Sequence, residues 1–385
     1  MKPAKATHEQ LKRHNRQMLL RAIFSREVNN RAALAQVTGL AKPTVSDLIA
    51  ELIDEGLLVE GGHGESTESG GKRPRLLEFV PTARQVIGIS LEPNLASGVL
   101  SNLDGQIVAR HYASLSGVQG EMAVMLLIEA INGLIAQLDA PLLCLGVGVP
   151  GIVEHETGIV RSATSLGWRN LALASMLGQR YEVPVYLGNN TELAAMSQLA
   201  FGSESGVRNL VTVLVNSAVE VGIALDGAAY HSGGDIGCLR VDGGAGDDGR
   251  LDSFLGWDYV QRRAGELRRI YPDTLLPASD LTYLHLRYAA AHDDPAALQI
   301  YEQLTDYLAQ VFAWVIGLLR PDHLALAGPI TDLGMPLLHL AGEKAERLLQ
   351  PELIQAVTFS LAGSANLSAI GAVAQALQNE LGILS

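Results

Sequence analysis

Forty residues into the chain, a turn signal is followed by a run of short polar side chains suited to contacting nucleic acid. In RAALAQVTGLAKPTVSDLIA, which starts at Arg31, Gly39 can take the left-handed backbone that ends a helix. Pro43 suits the first turn of the next helix, where its missing N–H would have no partner anyway. Val45, Leu48, Ile49 and Leu52 then repeat at helical spacing as an apolar stripe. Lys42, Thr44, Ser46 and Asp47 are left outward at the amino end. With Pro43, the hydroxyls of Thr44 and Ser46 and the ammonium of Lys42 form a set that can reach base edges or phosphates in a major groove. A second basic set, Lys72, Arg73 and Arg75, lies in SGGKRPR. Set among glycines and a proline, it can follow a phosphate backbone or enter a minor groove.

The elements that must hold these residues are legible nearby. His8 to Phe24 reads as a helix with Leu11, Met18, Leu19 and Ile23 near helical spacing, and a second helix begins near Asn30. Small Ala35 lets two helices approach, while Leu34, Leu40, Val45 and Leu48 fill the angle between them. After Gly56, the alternating LLVE, a Gly-rich loop from Gly61 to Gly71 and the apolar run Leu76 to Val80 read as a hairpin. Residues 1–80 are thus expected to form a winged helix-turn-helix. The same residues are also compatible with a helix pair that only packs and a basic loop that only links.

Charge follows this division. The 385 residues carry a net charge of −13, yet Met1 to Ser46 hold nine Lys and Arg against two acids, a local +7. The rest then stands at 19 bases against 39 acids, or −20, so an acidic body would leave DNA contact to the basic head. A solvated helix face is the plainer account of such a run. Hydrophobic residues make up 48% and charged residues 18%, which excludes a disordered chain. At roughly 150 residues per domain the length implies two to three domains. Met1 to Arg13 is polar and basic with no apolar stretch behind it, so no leader and no membrane span are expected. Two cysteines, Cys144 and Cys238, fit a reducing cytoplasm.

From Arg84 onward strands alternate with helices. VIGISLEPNLASGVLSNLDGQIVARHYASL gives three short strands, Gly120 to Leu138 a helix, and Leu142 to Val149 a buried strand; a similar arrangement recurs after Asn209. Two α/β halves are implied. GVGVPGIVEHETGIVRSATSLGWRNLALASML and VPVYLGNNTELAAM resemble the ROK family of bacterial repressors, open reading frames and sugar kinases, and RPDHLALAGPITD and AIGAVAQAL are also similar to it. The resemblance covers essentially the whole chain, since the family's repressor branch carries an amino-terminal winged helix. It implies an α/β fold in which that winged helix precedes a two-lobed actin/hexokinase-like (ribonuclease H-like) body. Lobes are expected at 81–190 and 191–385, with the C-terminal helix free to pack back on the first.

Against the family's pattern the kinase parts are degraded. The Asn-Asp pair whose Asp would be the general base is Asn189-Asn190, and an amide cannot accept that proton at neutral pH. The first phosphate turn reads Ser90-Leu91-Glu92-Pro93-Asn94, without the family's Asp, glycines and Thr. The second reads Asn216-Ser217-Ala218-Val219-Glu220, and Glu220 would set a negative charge against a phosphate. Unit charges about 4 Å apart interact by roughly 4 kcal/mol at an effective dielectric constant near 20. The family's zinc ligands, one His and three Cys, fall on Cys238, Gly243, Ala245 and Arg250, so no zinc or other cofactor is expected and Cys238 reads as a buried small residue. Asn189, Asn190, Asp235 and Asp252 remain polar at the sugar-facing positions, which implies a sugar-like ligand or a closed internal network.

The expectation is a non-enzymatic cytoplasmic regulator, a repressor of carbohydrate uptake or catabolism genes. It would bind double-stranded operator DNA as a homodimer or homotetramer and sense a sugar or sugar-phosphate effector in the cleft between the lobes. The alternatives are a body controlled by a protein partner and, more remotely, a sugar kinase.

Overall fold

The computed structural model describes residues 8–63, 75–92, 94–202, 207–231, 234–241, 249–363 and 366–384. The chain divides into two compact units, residues 1–188 with 372–385 and residues 189–371.

The first unit opens with α1 (His8–Phe24), α2 (Arg31–Thr38) and α3 (Lys42–Asp54), followed by an antiparallel ribbon of β1 (Leu58–His63) and β2 (Arg75–Phe79). This is the element order of a winged helix. Asn30 starts α2 by accepting the Ala33 N–H at 3.0 Å, and Gly39 ends it at φ +69°. Leu19, Leu20, Ile23, Leu34, Val45, Ile49, Leu52, Leu58 and Leu77 are buried together in a core this small segment can fill. Leu11 of the expected stripe is exposed instead.

The rest of this unit is a sheet and its covering helices. β3 (Gln85–Leu91), β4 (Leu95–Asn102) and β5 (Ile107–Ser114) precede α4 (Glu121–Ile135) and β6 (Leu142–Val149). A small sheet of β7 (Ile152–Glu154), β8 (Ile159–Ala163) and β9 (Trp168–Leu171) leads to α5 (Leu173–Tyr181) and β10 (Val185–Asn189). The main sheet runs β10-β6-β3-β4-β5. β3 is buried along its whole length, as its continuous apolar run requires, whereas β5 at the edge alternates between half-buried and exposed.

The second unit begins with α6 (Asn190–Phe201) and a hairpin of β11 (Leu210–Val215) and β12 (Val219–Leu225), with β13 (Ala228–Ala229) beyond it. Helices α7 (Asp252–Leu255), α8 (Trp257–Ile270), α9 (Tyr283–Ala291) and α10 (Pro295–Leu319) follow. Then come β14 (His323–Ala327), α11 (Met335–Glu346), α12 (Pro351–Ile354) and β15 (Thr358–Leu361). The sheet order is β13-β12-β11-β14-β15. Both large sheets thus place their strands third, second, first, fourth, fifth, with the first strand pairing antiparallel to the second and parallel to the fourth. The two-half reading of the sequence has its structural counterpart here.

α13 (Leu367–Leu381) belongs to both units: residues from Ala372 onward cluster with the first, and so does the winged helix. In the first unit α13 runs so close to β6 that a Cβ on Gly146 would lie 2.2 Å from the Ala372 carbonyl oxygen. Gly146→Ala is expected to destabilise by about 1–3 kcal/mol, read as a lower midpoint in thermal unfolding. In the second unit the Asp294 carboxylate caps α10, accepting from Ala297 N–H (2.9 Å), Leu275 N–H (2.7 Å) and Thr274 Oγ1 (2.8 Å). Burial alone would raise its pKa, but these donors outweigh burial and hold it below the ordinary carboxylate value. Its stabilising effect is therefore complete above the unfolded carboxylate pKa and is lost as the pH falls through that range toward the lower folded value. Asp294→Asn should flatten this acid arm of a stability-against-pH curve.

Candidate functional site

Two groups of residues are candidates for function, one in the winged helix and one around β12. In the winged helix the stripe Val45, Leu48, Ile49 and Leu52 is buried, which turns the amino end of α3 outward. Lys42, Pro43 and Ser46 are exposed and Thr44 is half-buried, so Thr44 offers less of its hydroxyl than the sequence suggested. No side chain caps α3, and Pro43 removes one of the N–H groups that would otherwise need a partner. The remaining first-turn N–H groups add a fixed positive end to Lys42, a combination that suits a phosphate.

Lys72 and Arg73 lie outside the described residues. Arg75 begins β2 and forms an ion pair with Glu60 on β1, which also holds Arg31 at 2.8 Å. The Arg75 and Arg31 guanidiniums keep the Glu60 carboxyl below the usual carboxylate range. Elsewhere Lys12 pairs with Glu51 at 2.8 Å and Arg16 makes a two-pronged contact with Glu55 at 2.6 Å. Much of the expected positive surplus is thus met by acids that follow Ser46: residues 1–80 hold twelve Lys and Arg against ten Asp and Glu. The unpaired positive surface of this region is narrower than the +7 of its first 46 residues implied.

The second group is organised by β12 in the second unit. Val219 N–H donates to Asp252 Oδ1 at 2.7 Å, and Val221 N–H donates to Gly234 O at 2.7 Å, which places the neighbouring Asp235. A Cβ on Gly222 would lie 2.0 Å from the Thr191 carbonyl oxygen, so the start of α6, with Asn189 and Asn190, is seated directly on the strand. Asp252 in turn lies against Gly237, where a Cβ would overlap its carboxylate. The four residues marked from the sequence, Asn189, Asn190, Asp235 and Asp252, are therefore gathered about one strand. Asn189 and Asn190 are buried, Asp252 is half-buried and Asp235 is exposed. Asn189 Oδ1 is committed to the α6 cap, accepting from Thr191 N–H at 2.8 Å and Thr191 Oγ1 at 2.5 Å. Asn190 O accepts from Ser368 Oγ at 2.8 Å.

Glu192, inside VPVYLGNNTELAAM but not among the residues expected at the site, also belongs to this group. It is 4% exposed, with Oε2 3.5 Å from His231 Nδ1. An acid in the first turn of an otherwise apolar helix was its one signal, since that end of a helix favours negative charge.

The degraded phosphate turns are ordinary hairpins. Glu92 N–H donates to Leu95 O at 2.7 Å in the first, and Asn216 N–H donates to Ala218 O at 2.9 Å in the second. In the second turn the Asp252 carboxylate takes the Val219 N–H. Of the positions matching zinc ligands, Gly243 and Ala245 lie outside the described residues. Cys238 is exposed, with Sγ 3.0 Å from Asp235 O, which corrects the expectation of a buried cysteine: the short turn Ile236–Cys238 buries Gly237 instead. Cys144 is buried in β6, and burial raises its thiol pKa well above the ordinary value.

The cap gives a test of this arrangement. Asn189→Ala should cost about 1–2 kcal/mol in denaturant unfolding, while Asn189→Asp, which keeps the acceptor, should recover most of it.

Comparison with known proteins places this architecture. The ROK family model matches residues 86–379. A xylose repressor of Caldicellulosiruptor bescii is 33% identical over 258 residues, covering 60% of this chain and 64% of its own length. The chain thus spans less than two thirds of the curated relatives it matches first. Among solved structures, a ROK family transcriptional regulator described as a homologue of the Escherichia coli MLC protein superposes with a TM-score of 0.83 at 22% identity, covering 96% of this chain and 98% of its own. A ROK family glucokinase from Streptomyces griseus, solved with glucose and AMPPNP, superposes at 0.63 with 19% identity, covering 75% and 98%. Both structures support the fold. With a matched duplicate-sheet body over most of its length, the chain belongs to the ROK family.

Proposed function

We propose that the chain is a DNA-binding transcriptional regulator, a repressor of carbohydrate uptake or catabolism genes, whose body senses a sugar-like effector at Asn189, Asn190, Asp235 and Asp252. The observation that carries this reading is the amino end of α3. Lys42, Pro43 and Ser46 stand exposed there while Val45, Leu48, Ile49 and Leu52 pack the other face of the helix. Two such heads in a homodimer or homotetramer would meet two half-sites of a palindromic operator. Among the described residues no helix is long and apolar enough to cross a membrane, and a cytoplasmic location goes with the reading. The relative from Caldicellulosiruptor bescii makes D-xylose the first effector to try.

A sugar kinase of the same fold is the competing reading. The amide of Asn190 at the base position, Glu220 in the second turn and the Asp252 carboxylate on the Val219 N–H all weigh against it. No ADP release above background is expected with ATP and a hexose and pentose panel.

A mobility-shift assay on genomic fragments with the full chain tests the main reading. Binding should be selective for sequence and should fall steeply with salt. Lys42→Ala and Ser46→Ala should each weaken specific binding by roughly tenfold, within the 1–3 kcal/mol of a base contact. Absence of sequence-selective binding, or full binding after removal of residues 1–80, would sink the proposal.

A further inference from the structure

The first unit buries an amide side chain at the start of β3. Gln85 is 3% exposed, and its carboxamide oxygen accepts Asp139 N–H at 3.0 Å and Ala140 N–H at 3.3 Å from the loop between α4 and β6. Two backbone donors fix which end of this amide is oxygen, so Nε2 is left as the free end. Among the described residues no acceptor meets it. A buried donor of this kind needs a partner from outside the chain. Gln85 lines a cavity of about 210 Å³ together with Thr82, Asn102, Gln106, Val108 and Asp139, all within the first unit.

Sheet register gathers these residues. β3 and β4 pair Gln85 with Asn102, so the two amides stand side by side on one face. Asn102 is 5% exposed and is spent on the turn that follows it: Oδ1 accepts Gln106 N–H at 2.8 Å, and Nδ2 donates to Gln106 Oε1 at 3.3 Å. Gln106 keeps its own Nε2 free. Leu100 pairs with Ala109 and Ser101 with Ile107, which makes Val108 the extra residue of a bulge in β5 and the aliphatic wall of the cavity. Leu103 N–H donates to Pro81 O at 2.9 Å, which brings Thr82 to the rim. Thr82 and Asp139 are exposed, and their side chains make no hydrogen bond among the described residues.

These free groups define a ligand. Gln85 and Gln106 offer N–H donors, Thr82 a hydroxyl that gives or takes, and the Asp139 carboxylate accepts only. Hydroxyl groups answer both needs at once, whereas an ammonium ion would leave the amide N–H groups unmet. Asp139 is the one charged residue of the lining, so a phosphate or carboxylate would meet an unbalanced negative charge. The volume equals that of about seven waters at roughly 30 Å³ each. It suits one sugar ring or a short polyol chain, with Val108 against the C–H groups.

We propose that this cavity is a binding site for a small neutral polyol, held by Gln85, Gln106, Thr82 and Asp139. It shares no residue with the group around β12 and does not rest on the regulator reading. A bound polyol joins three segments: the turn Pro81–Ala83 that leads from β2 into β3, the β4–β5 turn and the α4–β6 loop.

Titration of xylitol, D-xylose and D-glucose into the isotope-labelled full chain, followed by the side-chain amide signals of Gln85 and Gln106 in nitrogen–proton spectra, tests the proposal. Both signals should shift saturably with at least one of these polyols. Thr82→Val and Asp139→Asn, at exposed positions, should each weaken the binding read there about tenfold. Gln85→Glu, which keeps the acceptor and removes the donor, should abolish the shift of Gln106, and Asn190→Ala should leave both signals as they were. Methylammonium and inorganic phosphate should move neither. The site is overturned by the absence of a saturable shift with all of the polyols, by a shift unaltered in Thr82→Val and Asp139→Asn, or by stronger binding of methylammonium or phosphate. A polyol that binds without moving these two signals would also overturn it, while supporting the effector site of the regulator reading. Absence of selective DNA binding would remove the regulator reading and leave the titration result standing.

Discussion

The seats of α6 and α13 hang on backbone approaches that tolerate no side chain. Gly146 lets the α13 backbone lie on β6, Gly371 lets α13 meet the Leu193 carbonyl, and Gly222 lets the Thr191 carbonyl rest on β12. A Cβ at any of these would stand 1.7–2.2 Å from a carbonyl oxygen. Backbone cannot yield as a flexible side-chain tip can, so the seats of α6 and α13 are fixed without adjustable packing. These two helices carry Asn190 and Ser368 at one end and, through α13, Glu380 at the other. Small residues, rather than the polar ones they position, set the geometry.

On that frame polar residues near β12 are engaged by the protein itself. Asn189 holds the cap of α6, and Asp252 holds the Val219 N–H. A carboxylate bound to a turn N–H is satisfied without a ligand and opposes an incoming phosphate, so one side chain both stabilises the hairpin and works against nucleotide binding. Glu192, buried in the first turn of α6, has His231 as a partner.

The sequence was most readable where local geometry leaves few choices. Gly39, Pro43 and the stripe Val45, Leu48, Ile49 and Leu52 specify a turn and the buried face of a helix, and the structure has both. The apolar runs of β3 and β6 were equally plain. Contacts between residues distant in sequence were not. Nothing near Arg13 indicates Tyr186 and Glu380, which lie 173 and 367 residues away. Cys238 was misjudged because composition says that cysteines are buried, whereas a three-residue turn decides which of its members faces inward. Glu192 went unmarked because its role depends on His231, a residue on another loop.

Charge shows the same limit. A count over a stretch of chain treats each base as available, but helices bring together residues about forty apart: Lys12 meets Glu51 and Arg16 meets Glu55. These pairs join α1 to the end of α3, which is structural work. For the proposed DNA contact there remains a local field at the first turn of α3, where Lys42 adds to the helix dipole and no acid stands, while Asp47, Glu51 and Asp54 follow in later turns. In the proposed regulator, Lys42 ahead of the three acids would set how the helix enters a groove lined by phosphates. An even basic surface would bind DNA in many orientations, whereas this gradient favours entry by the tip.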